Sequence, residues 1–415
     1  MPSTPAKLSV CVCLAVCSLA FGPSTEGADS VAGFTPEQLH RSGAFHAKHA
    51  VLSALSLAAK AALLLGLFAL RGRLRLCAGR KWYVQVAAWA VVAALVMALV
   101  NTVASALNYR WHLAAGLTHQ HAGDWLVDTL KLRLRGVTLS VLYAVGVYAC
   151  IGWLGRRRWW VGAFLLLATI RTGSTLLMTH RDSTLLYDFV PLQAGHLRTR
   201  IETLIAKSGH GVAAIKVART SRISTCANAW IGLFGNERHL VLTDTLVERY
   251  SPDEIGIVVA HELGHLREAM FAKAIVLGAL HCLLGLALAH VLLMQAAKRG
   301  HEPFGLPHTV PLYMLAMLAA SVVWGPVRNQ VRKRSEIAAN RYALELTKDA
   351  DAFIRLQRRI TVENLSPLEV RPWVRALFMD HPTPTEAIAD AERWRDARGP
   401  ASSPRLEARP AEPGH

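Results

Sequence analysis

The chain has 415 residues and a net charge of +17, and 52% of its residues are hydrophobic. That fraction is high for a soluble protein of this length, and several apolar runs reach the ~20 residues with which a helix crosses a bilayer. The Lys and Arg residues gather at the ends of these runs, as in membrane-protein loops, and not on a basic helix with interleaved aromatic residues. We therefore expect a lipid bilayer as partner and no nucleic acid.

The first 22 residues carry Lys7, an apolar run from Leu8 to Cys17 and small residues around Ala20. This pattern predicts either a cleaved signal peptide or an uncleaved N-terminal anchor. A helix is predicted to begin just after Thr35, because Thr35 can cap it and proline follows at the first helical position.

Six apolar segments follow the N-terminal run, and with residues 1–22 they predict six to seven transmembrane helices. The segments lie near 50–70, 83–106, 136–154, 159–178, 272–297 and 307–327. The fold class is therefore a mainly α, polytopic membrane protein. The predicted domains are an N-terminal transmembrane region with about four spans (34–179), a polar unit (180–271), two further spans (272–327), a charged helical part (328–396) and a tail (397–415). The tail is rich in Pro, Ala and charge, so we predict that it is disordered.

Two basic residues fall inside predicted spans, Lys60 in the first and Arg171 in the fourth. A charge at the centre of a bilayer costs about 2.5–3.5 kcal/mol on insertion scales. We therefore expect both side chains to face other helices or a wet cavity, or to extend to an interface.

The segment His-Glu-Leu-Gly-His at 261–265 follows a capping box that begins at Ser251, so it is predicted to lie on a helix. Residues four apart share one face of a helix, so His261 and His265 can bind one metal ion. Glu262 can then accept a proton from water whose pKa a zinc ion lowers to ~7. A solvated helical face is the alternative interpretation, but the flanking residues are apolar. The motif predicts one Zn²⁺ per chain, with Glu262 as catalytic base.

A catalytic zinc ion needs a third protein ligand and an open fourth position. Glu336 is the candidate, on a helix predicted directly after the last apolar segment. Asn340 lies four residues on, on the same face, where its side-chain oxygen can accept a hydrogen bond from a ligand imidazole. The alternative for Glu336 is a surface acid on a basic helix.

With these residues the chain resembles the integral-membrane zinc peptidases of the CAAX prenyl protease type and the related heat-shock membrane peptidases. The resemblance covers roughly 34–388 and is strongest from 186 onward. It rests on the segments 187–195, 228–232 and 238–246, the zinc helix at 261–265, Glu336 with its Glu-x-x-Ala pattern, and His381-Pro382-Thr383. It implies that His261, His265 and Glu336 bind zinc and that His381 helps to stabilise the transition state. It also implies a small α+β protease domain of the zincin type, made of 180–271 with the zinc helix and of 328–396 as its C-terminal helical part.

The chain departs from the pattern of that family at three places. Asn340 replaces an Asp, and Arg332-Lys333 stands where the family has Ser-Arg shortly before the ligand Glu. Ala387 replaces an Arg that is expected six residues after the C-terminal His, which removes an expected partner of the oxyanion. Activity is expected to be low, or the substrate unusual, unless another Arg substitutes.

Two strands are predicted at 226–232 and 239–242, joined by a turn at Gly235-Asn236. The resemblance implies that a peptide substrate adds to the strand that contains Asn228 and Ala229, with its main chain hydrogen-bonded to the edge. An ordinary strand under the zinc helix is the alternative.

The function predicted by these residues is a membrane-embedded zinc metalloendopeptidase that hydrolyses peptide bonds of peptides or membrane proteins with zinc-activated water. Processing of prenylated C-termini and general quality control of membrane proteins are competing roles. A catalytically weak zinc-binding scaffold is a further alternative that Asn340 and Ala387 favour. A transporter is disfavoured, since it would leave the zinc motif unexplained.

The side of the membrane is predicted differently by two arguments. In eukaryotic members of the resembled family the active site is cytosolic. The basic loops at 71–81 and 156–158 are short, however, so the positive-inside rule places them in the cytoplasm and the zinc helix outside it. We expect a multi-pass protein of a bacterial cell membrane with an extracytoplasmic active site.

Overall fold

The computed structural model describes residues 33–184, 186–234, 237–368 and 370–398. The predicted signal peptide or anchor (1–22), the turn at Gly235-Asn236 and nearly all of the predicted disordered tail lie outside the described residues. In chain order the helices are α1 (Pro36–Ala69), α2 (Trp82–Ala115), α3 (Ala122–Thr184), α4 (His196–Ser208), α5 (Asp244–Arg249), α6 (Pro252–Arg267), α7 (Met270–Gly300), α8 (Val310–Thr347), α9 (Ala350–Glu363), α10 (Pro372–Leu377) and α11 (Pro384–Asp396). Single helical turns at Arg71–Leu74 and Pro307–Thr309 complete the helical elements of the described chain.

Five of the described helices, namely α1, α2, α3, α7 and α8, are long and apolar enough to cross a membrane. Helix α3 contains two of the predicted apolar segments, because its backbone leaves helical geometry at Gly155 (φ +67°). The chain turns back there: a Cβ on Gly146 would meet the Leu166 side chain, which a straight helix would place far away. Five helices therefore account for the six apolar segments, and the predicted polytopic, mainly α fold is confirmed.

The long helices enclose an apolar core of their own, with Trp159, Leu286 and Val310 fully buried. Their outer faces expose large apolar side chains, such as Leu99 and Leu165. Because contiguous exposed apolar surface is unfavourable in water, this surface is the lipid-facing side of the helices.

The remaining elements form a smaller α+β domain around a four-stranded mixed sheet. Its strands are β1 (Phe189–Pro191), β2 (Ala214–Ala218), β3 (Ala229–Phe234) and β4 (Glu237–Thr243), in the order β1-β2-β4-β3. Strands β2 and β4 are parallel and the other neighbouring pairs are antiparallel, so β3 lies at an edge. A second apolar core joins this sheet to α4, α6, α9 and α11.

The predicted strand at 226–232 begins too early, because β3 starts at Ala229. The Asn364 side chain accepts a hydrogen bond from the Ala227 N–H and donates one to the Ala227 carbonyl. These bonds satisfy the Ala227 backbone without a neighbouring strand. Asn228 therefore precedes the strand, and its carbonyl accepts from Thr243 N–H.

The predicted helix starts after Thr35 and Ser251 are confirmed, and α11 begins in the same way after Thr383. Thr35, Ser251 and Thr383 each cap a helix through their hydroxyl groups and form a capping box with proline at the first helical position. Each box satisfies two backbone N–H groups that the first turn of a helix leaves without partners.

The loop at 220–225 joins the small domain to the membrane helices. Thr225 N–H donates to the Leu117 carbonyl, and the Thr118 hydroxyl donates to the Ile223 carbonyl. Asp244, only 9% exposed, holds the base of this loop by accepting from the N–H and hydroxyl groups of Thr220 and Ser221. Burial works to raise the pKa of Asp244, but these hydrogen bonds outweigh it and hold the pKa below its usual value.

The carboxylate of Asp244 should therefore stabilise the docked loop. Asp244→Asn keeps one acceptor oxygen and loses the charge, so we expect a loss of about 1.5–3 kcal/mol and a melting temperature several degrees lower at pH 7. Because the folded pKa is depressed, this stabilisation is present above the unfolded pKa of ~3.9 and is lost as pH falls through the folded value. The melting temperatures of both proteins in detergent should begin to converge below about pH 4, and a constant difference across pH would contradict the assignment.

Candidate metal centre

The two histidines of the motif lie in the second half of α6, one turn apart. Ile255, Ile257, Val259 and Leu263 bury the rest of this helix in the core of the small domain. The burial fixes the rotation of α6, so that His261 and His265 face α8.

Helix α6 reaches α8 at very short range because Gly264 lies at the contact. A Cβ at Gly264 would lie 2.9 Å from the Ala339 Cα, which is closer than non-bonded carbons approach. The absence of a side chain at Gly264 and the small side chain at Ala339 therefore permit the contact. The ligand side chains of one helix can reach those of the other only at this separation.

Three potential ligand atoms converge between the helices. The Glu336 Oε2 atom lies 3.2 Å from His261 Nε2 and 3.5 Å from His265 Nε2. The potential ligand atoms of the three residues lie within 4.8 Å of one another. Tetrahedral zinc with bonds of about 2.0–2.1 Å requires ligand atoms about 3.3–3.4 Å apart, and both distances from Glu336 Oε2 are close to this separation.

Asn340 orients one of the two imidazoles. Its Oδ1 atom lies 2.9 Å from His261 Nδ1, so the Nδ1–H donates to Asn340 and the Nε2 lone pair points to the Glu336 carboxylate. The tautomer is assigned from this bond. His265 Nδ1 is buried with no hydrogen-bond partner among the described residues, so only His261 is held in this way.

Glu262 lies on the same helix beside the three converging side chains. Burial raises the pKa of its carboxyl group, while His261 and His265 oppose the shift and the Ile231 backbone donates a hydrogen bond to it. A carboxylate with a raised pKa accepts a proton more readily near neutral pH. Ile231 belongs to β3, so the edge strand and the zinc helix are joined at this side chain.

His381 approaches the same site from the loop before α11. Its Nε2 atom lies 3.4 Å from Glu336 Oε1, and its Nδ1 lies 2.8 Å from Asp380 Oδ1. The hydrogen bond to Asp380 holds the pKa of His381 above its usual value. The side chain is 54% exposed, so its Nε2 edge is open to a ligand in the cleft.

The site lies where two cavities meet. A cleft of about 730 Å³ is lined by Asn228, Ala229, His261, Glu336 and His381, among others. A second cavity of about 650 Å³ extends between α7 and α8, past Phe271 and Trp324. The structure therefore brings together every residue that the sequence predicted for the site, and Asn228 lies beside the strand rather than in it.

One residue at the site was not predicted from the sequence as a functional residue. Arg332 lines both cavities and lies one helical turn before Glu336. Its spacing of four residues from Glu336 places it on the same face of the helix, and this spacing is the sequence signal that could have identified it.

Comparisons with known proteins agree with this geometry. Residues 191–395 match peptidase family M48. This part of the chain is therefore similar to the M48 peptidases. It is 24% identical over 327 residues to the uncharacterized metalloprotease YhfN of Bacillus subtilis, which covers 76% of this chain and 75% of that protein. It is 29% identical over 283 residues to a CAAX prenyl protease 1 homolog of Oryza sativa subsp. japonica, covering 65% of this chain and 64% of the relative.

A solved structure has the same fold. The crystal structure of S. mikatae Ste24p superposes with a TM-score of 0.77 at 19% identity, covering 94% of this chain and 99% of the other. The predicted resemblance is confirmed. The chain is a membrane metalloprotease that uses zinc, and it resembles the CAAX prenyl proteases.

The bond from His261 to Asn340 generates a prediction about metal affinity. Asn340→Ala removes the acceptor that orients the imidazole, so we expect zinc affinity to fall by about 10–100-fold. Asn340→Asp restores an acceptor and adds negative charge, so its affinity should equal or exceed that of the unchanged protein. Competition with a chelator, with zinc measured by atomic absorption, checks both variants. Equal affinity in all three proteins would exclude an orienting role for Asn340.

Proposed function

We propose that this chain is a membrane-embedded zinc endopeptidase in which His261, His265 and Glu336 hold the ion. Glu262 is the general base, and His381 donates a hydrogen bond to the carbonyl oxygen of the substrate. The observation that carries the proposal is the convergence of three ligand atoms at the separations of a tetrahedral ion, with Glu262 beside them.

Zinc bound at this site supplies a Lewis acid that polarises the peptide carbonyl and lowers the pKa of water. Glu262 takes a proton from the attacking water and passes it to the leaving amine. The backbone N–H of Ile231 keeps its carboxylate aimed into the site. His381 is held by Asp380 through Nδ1, which leaves Nε2 facing the cleft.

The substrate that fits this arrangement is an extended segment of a membrane-associated polypeptide. Ala229 begins the edge strand β3 and lines the cleft, so a peptide can add to this edge with its main chain. The second cavity continues from the same site to apolar residues between two candidate membrane spans. Substrates with an apolar C-terminal part are therefore favoured, and the names of the curated relatives make prenylated C-termini the first class to test.

Glu262 provides the test of the mechanism. Glu262→Gln keeps the three ligands and removes the base, so the variant should retain about one zinc per chain and lose cleavage of a fluorogenic peptide by at least ~100-fold. Glu248→Gln, a change at an exposed residue of α5, is the matched control and should leave both quantities unchanged. Equal cleavage by wild type and Glu262→Gln would sink the proposed mechanism.

We also propose that the active site faces away from the cytoplasm. Three connections lie together at the end opposite to the zinc site. Phe68 and His308 are ring neighbours there, and Gly305 contacts Ile151 near the turn at Gly155. The zinc end instead joins α1 to the small domain, where the Ser42 hydroxyl donates to the Ser366 carbonyl.

The connections at the far end carry a dense set of exposed or half-buried basic residues, and the positive-inside rule assigns such short basic loops to the cytoplasm. They are Arg71, Arg73, Arg75, Arg80, Lys81, Arg156, Arg157, Arg158, Lys298 and Arg299. At the zinc end, basic residues such as Lys333 form ion pairs within the folded domain, and they weigh less under the rule.

Reporter fusions test this orientation. A reporter enzyme that is active only outside the cytoplasm should be silent when fused after Arg75 and active when fused after Asp244. A cytoplasm-specific reporter should show the opposite pattern at the same two positions. If the first reporter is active after Arg75 and silent after Asp244, the active site is cytoplasmic.

A further inference from the structure

Three residues line both of the cavities that meet at the zinc site, and they are Glu262, His265 and Arg332. Two of these already have roles in the proposed reaction. The third, Arg332, is therefore located at the junction through which a bound peptide would pass. Its side chain is 43% exposed, so it is accessible from the cavities.

Among the described residues, Arg332 has one ion-pair partner. Its Nη1 atom lies 3.4 Å from Asp380 Oδ2, while the other Asp380 oxygen is 2.8 Å from His381 Nδ1. A guanidinium group has five N–H donors, and this single contact at 3.4 Å engages one nitrogen. The remaining donors are available to a ligand, and Asp380 fixes the direction of the group.

Three neighbouring cations are paired with acids. Lys333 and Arg375 both form ion pairs with Glu386, at 3.2 Å each. Lys273 pairs with Glu268 at 2.8 Å. Among the described residues, Arg332 is the Lys or Arg that lines both cavities.

Position 387, which lines the same cleft, is an alanine. Ala387 is buried in the core of the small domain and can donate no side-chain hydrogen bond. A peptidase of this type needs donors aimed at the carbonyl oxygen as negative charge develops on it. Arg332 is a cationic hydrogen-bond donor at the junction of the two cavities, where it can offset this negative charge.

We propose that Arg332 is a catalytic residue that contacts the scissile carbonyl oxygen and stabilises its developing negative charge. This inference rests on the proposed function of the same site. The alternative is a positioning residue that acts only by holding Asp380 and His381. The two roles differ because direct contact with the substrate oxygen stabilises most when negative charge has developed on that oxygen.

The test compares Arg332→Ala, Arg332→Met and Arg332→Lys in the full-length protein in detergent. We expect kcat of Arg332→Ala and Arg332→Met to fall by about 100-fold while KM changes less than about threefold. A phosphinic peptide, which carries an anionic group in place of the scissile amide, should bind more weakly by a similar factor. Arg332→Lys should recover part of both losses, and all variants should keep about one zinc per chain.

Two controls separate the alternatives. Arg334→Ala, two residues along α8 and outside both cavities, should leave kcat unchanged. Asp380 also holds His381, so Arg332→Ala is compared in the wild-type and in the Asp380→Asn background. Direct contact with the substrate predicts a loss of kcat of similar size in both backgrounds. No further loss in the Asp380→Asn background would make Arg332 a positioning residue and overturn the proposal, as would a change in KM or zinc content alone.

Failure of this inference is distinguishable from failure of the proposed function. If Glu262→Gln is inactive but Arg332→Ala cleaves at the wild-type rate, the zinc mechanism stands and the role of Arg332 is wrong. If Glu262→Gln cleaves like wild type, the proposed function itself fails.

Discussion

The close contact of α6 with α8 at Gly264 and Ala339 determines whether this chain has a metal site at all. The candidate ligands come from two helices, and the helices must approach until a Cβ at Gly264 would collide with backbone. Helix α8 is one continuous 38-residue helix that begins among the membrane spans and carries Glu336 and Asn340 near its other end. The position of the last span therefore sets the position of the third candidate ligand, because no flexible loop lies between them that could adjust its position.

Burial of the Glu336 carboxylate costs free energy that only a partner of opposite charge or a hydrogen-bond donor can offset. Glu336 is 5% exposed, and a buried carboxylate is strongly unfavourable unless charges or hydrogen bonds compensate it. The imidazoles of His261 and His265 face the carboxylate, and Asn340 is tied to one of them. Such an arrangement destabilises an apolar core but is well suited to a divalent cation, whose charge offsets the carboxylate. Asn340 contributes orientation without the second negative charge that an Asp would add.

What the sequence could predict here follows from how local each feature is. The zinc helix, its capping box and the four-residue spacing from Glu336 to Asn340 depend on helical periodicity alone, and the structure brings those side chains together. The start of β3 was predicted three residues early, because the backbone of Ala227 bonds to Asn364, far away in the chain. The two apolar segments of α3 and a loop between them at 156–158 were predicted, and the structure turns at Gly155. That a single residue of positive φ makes this turn, without a longer loop, could not be predicted from composition. In the sequence Arg332 is an ordinary member of a basic run, and only the structure shows that it lines both cavities.

Hydrolysis inside a hydrophobic chain requires that water and peptide reach a polar site without exposing backbone to lipid. The basic residues within the spans meet that requirement. Arg171 of α3 lines the cavity that leads to Glu262, and a side chain at Gly278 of α7 would collide with it. Lys60 is half-buried on α1 near Arg133 of α3, whose guanidinium donates to the Asn101 carbonyl on α2. These charges face neighbouring helices, whereas the outer faces remain apolar. The helices thus have a polar interior and an apolar, lipid-facing exterior. A hydrolytic site can lie beside the membrane spans because the polar interior solvates the charged groups of the site.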